Sequence, residues 1–128
     1  MSVQSFESLI VWQKAIDLVT AVYQYSQGFP ADERFGLTAQ MRRAAVSVPS
    51  NIAEGQGRMS RGEFLHFLGN ARGSLFELRT QATIAARLKF LHDGDHGVLR
   101  EHADEVGRLL NGLINSLSTG HQQLTTSH

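Results

Sequence analysis

The chain has 128 residues, no cysteine, two prolines and twelve glycines, and its twelve basic and twelve acidic side chains give a formal net charge of zero. That length holds one domain with one core, and the absence of cysteine excludes a disulfide framework or a thiolate metal site. The neutral total hides an uneven spread: residues 1–33 carry one base against four acids, residues 34–89 nine bases against three acids, and residues 90–128 two bases against five acids.

The spacing predicts a first helix over 5–27, where Leu9, Trp12, Ile16, Val19 and Tyr23 step by three and four residues. Val11, Ala15, Leu18 and Val22 form a second apolar stripe beside it, so this helix needs several neighbours or a partner chain. Gly28, Phe29 and Pro30 should end it. Asp32 or a neighbour can cap the second helix, with Glu33 favourable near its positive end. Leu37, Met41, Ala44, Val48 and Ile52 make its inward stripe. Pro49 removes a backbone donor and crowds the carbonyl four residues earlier, so the helix should kink near 45–49 and end at Glu54–Gly55. Two short helices are the alternative.

Ser60 followed by Glu63 is a capping box that opens a third helix over 61–90. Phe64, Leu68, Ala71, Leu75, Leu78, Ala82 and Ala85 keep a four-three spacing, the seam of a bundle helix. After the turn at 93–95, Asp95 can cap a fourth helix. Its apolar positions are Val98, Leu99, His102, Val106, Leu109, Leu113, Ile114 and Leu117, and it should end near Gly120. No segment alternates with period two. The fold class is therefore all-α, an up-down-up-down four-helix bundle with the second helix kinked near Pro49. One domain spans 1–118, followed by a polar, disordered tail over 119–128.

At 100° per residue, Arg61 and Arg79 lie about 20° from Arg72, so these arginines share one exposed line beside the seam. Gly69, Gly73 and Thr80 sit further round and permit close approach of another helix, while Leu65 and Phe76 border the arginine line. The line reads either as a solvated, salt-bridged surface or as a basic contact surface for another subunit or a nucleic-acid backbone.

The stretch 42–58 is the oddest in composition, with Arg42 and Arg43, then Pro49, Asn51, Glu54 and Gly55, then Arg58. Asn51 and Glu54 read as polar groups that fix a turn, with Arg42 and Arg43 as natural partners. Gly55 and Gly57 resemble a fragment of a phosphate loop, but no strand precedes them. Glu63 and His66 fit one Glu-x-x-His element of a di-iron bundle, yet both lie far from the core stripe and no second copy sits on a helix. Ser47, Ser50 and Ser74 lack a placed base. The residues offer no catalytic group, no metal ligand set and no cofactor.

Three runs of residues together resemble one known family. They are 11–15 (Val-Trp-Gln-Lys-Ala), 42–55 from Arg42 to Gly55, and 71–78, which holds Ala71, Arg72, Gly73, Ser74, Glu77 and Leu78. Over residues 6–117 the chain is similar to the bacterial 23S rRNA intervening-sequence proteins. It is more distantly similar to the accessory variability determinant proteins of diversity-generating retroelements. The resemblance implies a cytoplasmic four-helix bundle that assembles into a homo-oligomeric ring, with a pentamer favoured, and without catalytic residues. The retroelement relatives are basic and work with nucleic acid, whereas this chain is neutral.

The functional expectation is a non-enzymatic interaction scaffold that binds RNA or DNA, or a protein partner, through Arg42, Arg43, Arg58, Arg61, Arg72 and Arg79. The alternative is a structural module whose arginines bridge subunits. No apolar run approaches the roughly 20 residues of a bilayer span, and the start of the chain lacks signal-peptide features, so no membrane role is expected.

Overall fold

The computed structural model describes the backbone of residues 5–126 and the side chains of residues 5–119. Among these residues four α-helices form: α1 over Ile10–Ser26, α2 over Leu37–Gln56, α3 over Arg61–Arg87 and α4 over Asp93–Thr126. Each packs on the next in chain order and α4 closes back on α1, with no diagonal helix pair in contact among the described residues, which is the up-down-up-down arrangement. The α2–α3 pair has the most extensive contact, and no strand forms among the described residues.

The expected seams supply the core, with one exchange of roles. On α1 the deep stripe is Val11, Ala15, Leu18 and Val22, while Leu9, Trp12 and Val19 are half-buried and Tyr23 is exposed. Small Ala15 and Ala21 let neighbouring helices approach closely, which pushes the bulky stripe to the rim. On α3, Leu68, Ala71, Leu75, Leu78, Ala82 and Ala85 are buried as their spacing requires. On α4 the deep positions are Leu99, Ala103, Val106 and Leu110, and Val98 faces outward.

The helix ends depart from simple sequence signals. The first helix does not begin at residue 5. Ser5 instead caps a short 3-10 turn, Phe6–Ser8, and extended Leu9 lets Phe6 fold edge-on against Trp12 at 5.3 Å. At the other end of α1, Phe29 is buried and meets Phe90 at 6.0 Å, so the two loops at that end close over the core. Asp32 does not cap α2. It lies in the 3-10 turn Ala31–Glu33, and the Glu33 carboxylate accepts from the Leu37 N–H at 3.0 Å. A Cβ on Gly36 would stand 2.8 Å from that carboxylate, so glycine leaves the cap its space.

The second helix runs unbroken through Pro49, so the alternative of two short helices falls away. It passes Gly55 and ends at Gln56. Ser60 Oγ accepts from the Glu63 N–H at 3.1 Å, as the capping box requires. The third helix stops at Arg87 rather than 90 because Lys89 turns left-handed, at φ 65°. The Phe90 N–H then bonds to the Ala85 carbonyl at 2.9 Å and the Lys89 N–H to the Ala86 carbonyl at 3.1 Å. This is a Schellman exit with lysine where glycine is usual. Lys89→Gly is expected to raise the unfolding free energy by about 0.5–1 kcal/mol, read as a higher urea midpoint at unchanged slope.

The fourth helix starts at Asp93, so Asp95 sits inside its first turn instead of capping it, and the His96 N–H bonds to the His92 carbonyl at 2.8 Å. Its backbone continues past Gly120 to Thr126. Of the tail expected over 119–128, the side chains from 120 onward and residues 127–128 lie outside the described residues.

Candidate functional site

The stretch 42–58 works as a set of locks between helices. Arg42 is half-buried, donates from Nε to Ser26 Oγ at 2.9 Å and from Nη2 to the Tyr23 carbonyl at 3.4 Å, and lies 4.6 Å over the Tyr23 ring. It thus supplies donors to the C-terminal end of α1, where carbonyls lack helical partners. Pro49 follows Arg42 by two helical turns and lies buried on the same side of α2, toward α1.

Asn51 turns the other way, toward α3. Its Nδ2 donates to the Ser47 carbonyl at 2.8 Å and to Ser47 Oγ at 2.9 Å, and Ser47 Oγ shares a 2.9 Å hydrogen bond with Ser74 Oγ. Glu54 pairs with Arg58 at 2.9 Å, and the Arg58 guanidinium covers the Phe67 ring at 4.8 Å. The partners expected for Asn51 and Glu54 were Arg42 and Arg43, and neither is used. At 3.6 residues per turn those arginines face α1 and solvent while Asn51 faces α3. Gly55 is not a helix exit. It is buried, and a Cβ there would meet Phe67 Cβ at 2.8 Å and Phe64 Cδ1 at 2.9 Å. Its lack of a side chain sets the close crossing of α2 and α3.

The six candidate arginines do not form one surface. Arg42 and Arg43 sit toward the end of the bundle where α1 gives way to α2, and Arg58, in the α2–α3 connection, and Arg61, the first residue of α3, sit at the opposite end. Arg72 and Arg79 reach across to α4, where Arg72 Nη1 donates to Asn111 Oδ1 at 3.1 Å and Arg79 meets Asp104 at 2.8 Å. The exposed line drawn on α3 is thus the flank that α4 packs beside, and its charges are largely answered within the chain. Exposed pairs of this kind contribute at most about 1 kcal/mol.

What the structure assembles instead is a groove on the α1–α2 side. Its walls include Tyr23, Arg34, Thr38, Arg42, Arg43 and Val46, it is open to solvent with a volume of about 560 Å³, and no carboxylate among the described residues lines it. A second hollow of about 370 Å³ shares Arg34, Thr38 and Arg42 and continues it across the bundle end. Arg34 stacks 4.7 Å over the ring of Phe35, which is 83% exposed. Arg43 is exposed and makes no ion pair or hydrogen bond among the described residues. Sequence reasoning missed Arg34 because it stands in a turn, outside any helical stripe. The adjacent Phe35, a large aromatic in a polar turn, was the available signal.

Other candidate chemistry stays apart. Ser47 and Ser74 hydrogen-bond to each other, and Ser47 also accepts from Asn51; neither bonds to a histidine or carboxylate among the described residues. His66 packs edge-on against Phe67 at 5.6 Å. Among the described residues no three His, Asp or Glu side chains are grouped to hold a metal ion. The small hollow beside His96, between Leu18, Leu78 and Leu99, measures about 20 Å³, the room of a single water molecule.

Comparison with known proteins agrees with this architecture. A crystal structure of a protein of unknown function from the S23 ribosomal protein family of Bacteroides thetaiotaomicron superposes with a TM-score of 0.76. The two share 19% identity over 82% of this chain and 98% of that one, a likeness that shows the fold alone. No curated protein matches the sequence. The family model described as 23S rRNA-intervening sequence protein matches residues 7–112. With that match over most of its length, the chain belongs to the 23S rRNA-intervening sequence protein family.

Proposed function

We propose that this chain is a non-enzymatic interaction scaffold that self-associates through the outer flank of α3 and offers its basic groove to nucleic acid. The observation that carries the first part is the character of that flank. Gly69 and Gly73 have open space where a Cβ would stand, and Phe76 and Ile84 on the same side are 55% and 44% exposed. A glycine in a helix interior costs about 1 kcal/mol relative to alanine, and no close packing among the described residues offsets it here. A second helix brought close over the glycines, covering Phe76 and Ile84, would offset it. A second copy is the occupant that fits, because the basic middle and acidic ends of one chain complement those of another. A ring of five copies in the cytoplasm is the form the family resemblance implies, and no helix among the described residues is long and apolar enough to cross a membrane.

The test separates fold from assembly. In an isolated chain, Gly69→Ala with Gly73→Ala should stabilise α3 by about 1–2 kcal/mol through helix propensity alone. If the flank is a subunit contact, the double variant instead shifts the particle toward the monomer in light scattering. A monomeric wild-type protein at micromolar concentration would count against this reading. The purely structural alternative, with arginines bridging subunits, draws less support, because Arg58 and Arg79 already have partners in their own chain.

A further inference from the structure

We infer that the groove between α1 and α2 is a site for single-stranded nucleic acid, with phosphates on Arg34 and Arg43 and an unpaired base stacked on Phe35. The inference rests on the nucleic-acid half of the proposed function and gives it a place and a strand class. Three guanidinium groups line the groove and no carboxylate among the described residues does, in a chain whose total charge is zero. Arg42 is held by Ser26 and Tyr23, so its charge is fixed at the groove wall without further ordering. Arg34 and Arg43 have no acidic partner among the described residues and remain able to meet phosphate. Their planar, forked donors suit phosphate oxygens.

The aromatic groups decide between single strand and duplex. Tyr23 in the groove wall is 41% exposed, and Phe35, 83% exposed, stands beside the groove next to the wall residue Arg34, whose guanidinium lies 4.7 Å from its ring centre. Exposed rings beside a basic track stack unpaired bases with little regard to sequence. A duplex keeps its bases paired and stacked inside and would leave Phe35 without a role. An acidic peptide would satisfy the arginines and likewise leave the ring unused.

The experiment is fluorescence anisotropy of a labelled, mixed-sequence single strand of about 12 nucleotides, a length within the range of known single-strand sites. The oligomeric state of each variant is followed in parallel. Arg43→Glu and Phe35→Ala should each weaken binding about tenfold, and the wild-type log-log salt slope should be about −2, from two to three phosphate contacts. Arg61→Glu makes the same charge change at the opposite end of the bundle and should change binding less than about twofold. Arg43 makes no ion pair or hydrogen bond among the described residues, and Phe35, 83% exposed, meets only the guanidinium of its neighbour Arg34, so both variants should keep the wild-type circular dichroism.

Equal losses for Arg43→Glu and Arg61→Glu, full binding by Phe35→Ala, or tighter binding of the matching duplex would each overturn the assignment. So would equal displacement of the strand by polyglutamate, which would mark the groove as a seat for acidic protein. Loss of assembly with Phe35→Ala would place that ring in the subunit contact and overturn it as well. Wild-type protein that binds no oligonucleotide at low salt would sink the wider nucleic-acid reading too. Binding that ignores the groove variants sinks only this site.

Discussion

Truncating Leu75 to alanine is expected to remove about 3–4 kcal/mol of the free energy of unfolding, a large part of what a domain of this size holds. Leu75 is fully buried midway along α3. It packs toward Gly107 on α4, where even an added Cβ would stand in ordinary contact, 3.5 Å from Leu75 Cδ2. Four helices packed in a closed square cannot collapse into the vacated volume without loosening the other seams, which places the cost in the upper part of the usual range. Urea unfolding followed by circular dichroism measures it. Phe76→Ala, one residue along and exposed, should cost less than about 1 kcal/mol in the isolated chain. If Leu75→Ala cost no more than Phe76→Ala, the seam assigned to α3 would be wrong.

Gly55→Ala is expected to destabilise the fold by about 2 kcal/mol, although alanine is the better helix former by about 1 kcal/mol. The new methyl group would stand 2.8 Å from Phe67 Cβ and 2.9 Å from Phe64 Cδ1. The Phe64 ring can rotate aside. Phe67 Cβ cannot, because it is fixed to the backbone of α3, so the two helices must separate along their most extensive contact. That separation also strains the Ser47–Ser74 hydrogen bond between the same helices. Gly57→Ala is the control, since a Cβ there meets only ordinary contacts at 3.6 and 3.7 Å. It should leave stability unchanged or slightly raised. Matching losses at 55 and 57 would mean that close approach is not what requires glycine at 55.

Four helices, their order and most of the core were legible in the amino-acid sequence because each seam repeats every three to four residues. Leu68, Leu75 and Leu78 are buried by that spacing alone, and the Ser60 cap is written in two residues. Helix ends were less legible. Lys89 adopts a left-handed conformation that local sequence assigns to glycine, because the hydrogen bonds to Ala85 and Ala86 and the burial of Leu91 hold it there. Gly55 shows the opposite ambiguity: a glycine near a helix end can serve the turn or a close crossing, and only the position of α3 selects the second.

The arginines show the limit most clearly. The sequence by itself determined that the middle of the chain is basic and at what angle each arginine leaves its helix. Which arginines are answered was decided by the tertiary structure. Packing α4 beside one flank of α3 gives Arg72 and Arg79 their partners, and packing α1 against α2 ties down Arg42 and leaves Arg34 and Arg43 around an open groove. Helical periodicity fixes directions around one axis. Whether a charge so directed meets a carboxylate, a carbonyl or solvent depends on which helix comes to lie there.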